Sequence, residues 1–479
     1  MLDIAQLNLS ILPEIILIAA GIIILILAAF SKSSSKYASI IALLAVVGNV
    51  YYLLMQWGKQ AEGFYNNVVI DNFALFAGLI YLLSAALIIL SSVNYLEIHQ
   101  IDSNEFYALI LFALSSVLFI SSALDLITIF ISLEIFSLCL YILVAYEKTS
   151  IKGVEGAAKY FILGAFSSGI LLYGIVFLIG ARGSSNLSNF TNIQNLGGDQ
   201  KIILYIGVVM VLVGLGFKIS LVPFHMWTPD AYEGAPTVIT AFMAAITKTA
   251  AFTALIRIFV LGISPKDLSL DWILWVLAVA TMTIGNFIAL SQDNIKRMLA
   301  FSSIAHAGYI MVGVVGASDK QAMASVMYYL LVYAMMNIGA FLIIAHLEKG
   351  EDFLNILHYR GMGYRNPLLA IGLSWFLFCL IGLPPTAGFI AKYYVFLSAI
   401  NKGYTGLVII AVLNSAVAAY YYLRVIVYMW MHEKEKGKAI SKYAEGWDTI
   451  SFAAIFIAFI ITLQLSFLPS RFLQMALSF

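Results

Sequence analysis

Charge is scarce in this 479-residue sequence: Asp, Glu, Lys and Arg make up 11% of it, where soluble domains carry roughly 25%. With 62% hydrophobic residues, no water-facing surface of ordinary polarity can be built, so the chain must meet lipid. The net charge of +1 excludes a bulk electrostatic partner such as nucleic acid. Cysteine is nearly absent. Cys139 and Cys379 stand far apart in apolar runs, and with no CxxC pair or His/Cys cluster, iron–sulfur, haem-attachment and zinc sites lack ligands. A nucleotide fingerprint is missing too, because the Gly-x-Gly pairs at 214–216 and 361–363 do not open a strand–turn–helix unit. No basic segment precedes the first apolar stretch, which argues against a cleaved secretory signal. Glu14, after Pro13, suits the first turn of a helix there.

What the chain does have is apolar length. A helix needs about 20 such residues to cross the hydrocarbon core, and windows of that size recur from end to end. They lie near 10–30, 38–57, 72–93, 104–121, 125–146, 156–180, 201–222, 238–262, 271–290, 297–316, 322–346, 366–400, 404–430 and 449–469. The expected fold is an all-α polytopic membrane protein with about fourteen transmembrane helices, of which 366–400 is too long to be one straight helix. These runs are also too long, and too little alternating, for barrel strands.

Loop charge orients the bundle. An external N-terminus puts thirteen Lys and Arg, clustered at 32–36, 148–152, 296–297, 349–365 and 434–442, on the cytoplasmic side, against seven opposite. Both termini are therefore expected outside. The polar stretch at 181–200 reads as an external loop. Two apolar windows are interrupted by proline: 201–222 runs into Pro223, and 366–400 contains Pro384 and Pro385. Lys218 precedes the first break and Lys392 follows the second. Five spans separate corresponding points, so the two units would be inverted, and paired interrupted helices point to a transport site near the midplane.

A Lys or Asp at a helix centre costs about 2.5–3.5 kcal/mol on insertion scales, so depth selects the charges that matter. Glu134 lies near the middle of its span with no local basic neighbour, and Lys218, Lys248 and Lys392 lie deep in theirs. Arg257 and Arg424 stand near span ends and are expected to snorkel. Lys159 sits just inside a helix start, and His306 is about ten residues into its span; both are secondary candidates. His225 follows the first break, where it could cap freed carbonyls. Three buried lysines and one glutamate suit proton transfer. Lysine out of water loses much of its hold on its proton, while a carboxylate at 4 Å restores about 4 kcal/mol at an effective dielectric of about 20. Moving Glu134 toward or away from Lys218 would switch that affinity, and backbone freed at a helix break can hold water.

These residues fall in recognisable company. "GFKISLVPFHMWTPDAYEGAPTVITAFMAAITK" (216–248) closely resembles the signature of the antiporter-like subunits of respiratory complex I. "SLEIFSLCLYILVAY", "QDNIKRMLAFSSIAHAGY" and "GLPPTAGFIAKYYVF" extend the resemblance over about 104–430. It implies fourteen helices with two inverted five-helix repeats, each with one discontinuous helix. The corresponding division is an N-terminal three-helix segment (1–103), a first repeat (104–262), a second repeat (263–430), and a cytoplasmic loop with the last helix (431–479). It implies that Glu134 and Lys218 form the broken-helix pair, that Lys248 is a linking lysine, and that Lys392 serves the second break. A lysine there and a chain ending soon after the last span resemble the N-type members rather than the M or L types. Val238 departs from the pattern, which often has proline after "GAPT".

The implied activity is that of a translocase subunit, moving protons across the cell inner membrane beside neighbouring antiporter-like subunits. NADH, flavin, iron–sulfur clusters and quinone would then be handled by partner subunits, with no cofactor on this chain. Two other readings stay open from sequence: an Mrp-type sodium/proton antiporter subunit, and a non-pumping scaffold whose buried charges only pin helices.

Overall fold

Without water to take up peptide groups, an apolar run in a bilayer must satisfy its N–H and C=O groups internally, and the helix does so. The computed structural model describes residues 10–30, 35–64, 66–101, 104–190, 196–263, 270–315, 320–348, 354–432 and 449–478. Expectations resting on Lys32, Lys266, Lys349 and the 434–442 cluster lie outside these residues.

The first six helices are α1 (Leu12–Phe30), α2 (Ser35–Gln56), α3 (Asn72–Ile98), α4 (Asn104–Ser122), α5 (Leu126–Val144) and α6 (Ile151–Arg182). Then come α7 (Gly198–Ile219), the short α8 (Trp227–Gly234) and α9 (Thr237–Gly262). The second half holds α10 (Asp271–Leu290), α11 (Ile295–Val315), α12 (Lys320–Leu347), α13 (Pro367–Ile381) and α14 (Ala387–Asn401). It ends with α15 (Thr405–Met431), α16 (Thr449–Phe467) and a terminal helix α17 (Pro469–Leu477). Thirteen of these helices are long and apolar enough to cross a membrane. The pair α13 and α14, interrupted between Ile381 and Ala387, supplies the fourteenth crossing. Fourteen crossings match the sequence expectation, to within a few residues at each end.

Local chemistry sets the boundaries. Asp71, Asp125 and Ser150 cap α3, α5 and α6 by accepting from the amides of Ala74 (2.7 Å), Thr128 (2.8 Å) and Gly153 (3.1 Å). A short antiparallel hairpin, β1 (Ala61–Gly63) and β2 (Val68–Ile70), joins α2 to α3. The helices are not equally buried. The apolar windows of α11 and α12 are 100% and 94% buried, whereas those of α1, α2, α10, α15 and α16 are 33–39% buried. The first pair therefore forms the axis of the bundle and the second group part of its outer wall. Both ends of the described chain lie at one end of the bundle. Ser10 lies against Gly63, and Ser478 accepts from Asn72 Nδ2 at 2.8 Å.

Candidate functional site

The two helix breaks are built alike from similar sequence. "KISLVP" (218–223) ends α7 and "LIGLPP" (380–385) ends α13. In each, the residue after the last isoleucine adopts the left-handed conformation: Ser220 at φ 66° and Gly382 at φ 81°. The following leucine amide then reaches back five residues, Leu221 to the Gly216 carbonyl (2.7 Å) and Leu383 to the Phe378 carbonyl (3.3 Å), which closes the helix end. Proline, directly next at the second break and one residue later at the first, then removes a donor and stops regrowth. At the first break the freed groups find fixed partners. The Val222 amide donates to Thr281 Oγ1 (3.0 Å), Trp227 Nε1 to the Phe217 carbonyl (3.0 Å), and Thr228 Oγ1 to Ser220 Oγ (2.7 Å).

Each break leaves its last isoleucine carbonyl pointing at a lysine. The Lys248 ammonium, on α9, donates to the Ile219 carbonyl. The Lys392 ammonium, on α14, donates to the Ile381 carbonyl at 2.9 Å. The carbonyl end of a half-helix carries partial negative charge, so both cations sit where a helix dipole receives them. Both are buried, with 1% and 5% relative exposure.

Lys218 faces the other way. Its ammonium lies 3.2 Å from Glu134 Oε1 and donates to Ser137 Oγ (2.7 Å) and Ser168 Oγ (3.4 Å). Ser168 in turn donates to Glu134. Helices α5, α6 and α7 thus converge on one ion pair. The lysine side chain is 3% exposed and the carboxylate 27%, so Glu134 opens toward the outer face of the chain. That exposure sets it apart from the three lysines.

A chain of hydroxyls and amides leads away from Lys392. The ammonium sits 4.6 Å from the centre of the Tyr309 ring, and Asn286 Nδ2 donates to Tyr309 Oη (2.8 Å). Tyr421 Oη donates to Asn286 Oδ1 (3.0 Å), and its ring packs 4.4 Å from that of Tyr422. Tyr422 pairs with Ser302 and lies 3.4 Å from His306 Nε2, while His306 Nδ1 lies 3.0 Å from Tyr329 Oη. Buried phenols need partners, and here Asn286, Ser302 and His306 supply them along a line.

Sequence reasoning singled out His306 but passed over Tyr309, Tyr329, Tyr421, Tyr422 and Asn286. Their signal was the clustering of tyrosine inside apolar runs, as in "MYYLLVY" and "AAYYYL". It also missed a π-helical turn, Met243–Thr247, directly before Lys248. Such bulges often mark functional positions in helices.

Other placements correct the expectations. Arg257 does not snorkel: it is 2% exposed and grips Asp71 with two bonds (2.6 and 2.8 Å), beside the Ser121 carbonyl. A guanidinium removed from water needs such a bidentate carboxylate. Lys296 was expected in a loop, yet it is buried at the start of α11 and donates to the Ala235 carbonyl (2.7 Å). His225 is buried in the first break with Nδ1 lacking a hydrogen-bond partner among the described residues. Lys159 stands apart from the buried row. It is 45% exposed and pairs with Glu155 (2.7 Å) and Asp230 (2.8 Å). Arg297 also bridges Asp230 (2.7 Å) and Glu233 (2.8 Å), so α8 is clamped from both halves of the chain. Burial pushes the Asp230 carboxyl up, but its bonds to Lys159 and Arg297 outweigh that and hold it below the usual carboxylate range.

Comparison with known proteins places this geometry. Residues 123–418 match a family model described as "NADH:quinone oxidoreductase/Mrp antiporter, TM". NADH-quinone oxidoreductase subunit N of Trichlorobacter lovleyi is 44% identical over 445 residues, 91% of each chain. In the structure of respiratory complex I from Thermus thermophilus, one chain matches with 31% identity and a TM-score of 0.80 over 96% of this chain and 98% of that one. A chain of the Mrp complex from Dietzia matches with a TM-score of 0.84 over 99% of this chain and 96% of that one. Its identity is only 19%, so that likeness speaks for the fold alone. The chain belongs to the NADH:quinone oxidoreductase/Mrp antiporter membrane family, and within it to the NADH-quinone oxidoreductase subunit N group.

Proposed function

We propose that this chain translocates protons across the membrane as a subunit of an NADH-quinone oxidoreductase. NADH oxidation and quinone reduction, with their flavin and iron–sulfur groups, fall to partner subunits, and no redox active site lies on this chain. One observation carries the reading. Three buried lysines, Lys218, Lys248 and Lys392, stand at two helix breaks, and among the described residues only the first has a carboxylate, Glu134, within reach. A bundle that only needed pinning would pair its buried cations, as it does with Arg257 and Asp71.

In this reading Glu134 and Lys218 form the switch. The carboxylate's partial exposure turns it toward a neighbouring membrane subunit, whose charge can draw it from Lys218. A freed Lys218 charge raises the cost of a second cation at Lys248, across the same break. The proton on Lys248 then moves toward His306 and the tyrosine line and on to Lys392, which releases it outward. The membrane is the cell inner membrane, with both termini on the external side. Lys159 serves as a surface ion pair holding α8. The matching family model also covers Mrp antiporters by its description, which keeps sodium/proton antiport as a second reading, and sodium-dependent pH recovery in cells lacking other antiporters would favour it.

The test replaces Lys218 and Lys248 singly with alanine in the assembled complex and measures protons moved per NADH oxidised. Both variants are expected to lose pumping. Normal pumping in both would sink the proposal.

A further inference from the structure

One buried carboxylate takes no part in the proposed pathway. Glu14 stands in the first turn of α1, where a carboxylate ordinarily meets the helix dipole at a wet surface. Here it is 3% exposed. Its Oε2 is buried with no hydrogen-bond partner among the described residues. An ionised carboxylate out of water needs a pairing charge or a metal ion. Arg257 reaches the same region through the Ser121 carbonyl, but its guanidinium is committed to that carbonyl and to Asp71.

Glu14 lines a cavity of about 30 Å³ at the end of the bundle that carries both termini. Helices α1, α2, α3 and α4 wall it, and strand β2 closes it. Its other polar lining is Ser10, Tyr52, Gln56, Ser121 and Ser122, with no basic residue among the described residues around it. These groups supply oxygen. Ser121 Oγ and Ser122 Oγ donate to the Leu118 carbonyl (2.8 and 3.1 Å). Their hydrogens are spent along the helix, and their lone pairs remain to be offered.

Charge and volume select the occupant. One carboxylate among neutral oxygens balances one positive charge. Magnesium keeps several of its waters, and at roughly 10–15 Å³ for each this space holds about two water-sized occupants. Calcium, with about six to eight oxygen ligands, would leave net charge buried beside a single carboxylate. We propose that the cavity binds a small monovalent cation of the sodium class, with Glu14 as its charged ligand. The site shares no lining residue with either helix break, and the inference goes beyond the translocation reading without depending on it. The bound ion ties α1, α2 and α4 together beneath the hairpin. Because Asp71 directly follows β2 and Ser121 gives its carbonyl to Arg257, the ion also steadies the anchor of α9, which carries Lys248.

Amide hydrogen exchange in the assembled complex, read by mass spectrometry on peptides of this chain, tests the site. Sodium chloride is titrated against choline chloride at constant ionic strength. Sodium is expected to slow exchange of the β1 and β2 amides at least threefold. Glu14→Gln, neutral without an ion, is expected to abolish that response. Ser122→Ala removes one oxygen and leaves the charge, so the sodium midpoint should rise at least threefold. That variant carries the test if the glutamine variant fails to assemble. No sodium response in the parent, as a protonated Glu14 would give, overturns the proposal. An undiminished response in Glu14→Gln or an unshifted midpoint in Ser122→Ala overturns it too. Pumping is not the readout, so the translocation reading stands or falls separately.

Discussion

The two helix breaks share a backbone and differ in charge. Both follow an isoleucine, turn through a left-handed residue, and are sealed by proline. At the first, the lysine before the break is tied to Glu134 while a second lysine, from another helix, takes the open carbonyl. At the second, one lysine from the far half of the same broken helix takes the carbonyl and, among the described residues, has Ser415 (3.2 Å) and the Tyr309 face for company. The difference teaches a division of labour. Under the proposed reading, a break with a movable counter-ion can be switched by its neighbours, whereas a break whose lysine has no carboxylate within reach among the described residues suits release.

The comparison can be broken most forcefully at its charged partner. Glu134→Gln leaves Lys218 uncompensated, and losing one member of a buried pair costs about 3–5 kcal/mol. Thermal unfolding of the assembled complex should show that loss, together with a several-fold fall in protons per NADH. Ser415→Ala removes one hydrogen bond from Lys392, a loss of about 1.5 kcal/mol. If it matched Glu134→Gln in either measurement, the two breaks would not differ as described.

The turn residues offer a finer contrast. Ser220 tolerates its left-handed backbone with Thr228 bonded to its hydroxyl, whereas Gly382 has Lys392 Cδ 3.1 Å from where a Cβ would stand. Gly382→Ser should therefore destabilise by about 1–2 kcal/mol, and Ser220→Gly should change stability by less than about 1 kcal/mol. Denaturant unfolding of the purified complex compares them.

The smallest effect concerns the α8 clamp, which only the first break possesses. A carboxyl held below its unfolded value adds stability that is present above the ordinary carboxylate range and lost as pH falls through the folded value. Arg297→Gln lets Asp230 rise toward ordinary behaviour, so the part of the stability that acid removes should shrink. With both side chains about a third exposed, the change is screened to about 0.5 kcal/mol. Stability measured from pH 6 down to pH 3, against the parent, reads it.

Much of this architecture is legible in the amino-acid sequence alone. Apolar length marks every crossing, prolines mark both breaks, and the cost of burying charge picks out Glu134, Lys218, Lys248 and Lys392. What escapes are features that residue type does not announce. Arg257 looks like a snorkelling end residue because its partner, Asp71, lies 186 positions away. The π turn before Lys248 is a shift of hydrogen-bond register, hinted at only by Thr247, Thr249 and Thr253 inside one helix. The tyrosine line hides because tyrosines inside apolar runs read as ordinary packing rings, and their interleaving with Asn286 and His306 shows only in three dimensions.

The central claim is that Lys392 carries the proton it binds, while Lys218 gates. Arginine keeps the positive charge but does not give up its proton in proteins. The deciding measurement is protons moved per NADH oxidised by the reconstituted complex with Lys392→Arg beside Lys218→Arg. The account predicts that Lys392→Arg abolishes this chain's share of pumping while Lys218→Arg, still paired with Glu134, retains part of it. Parental pumping by Lys392→Arg would contradict it.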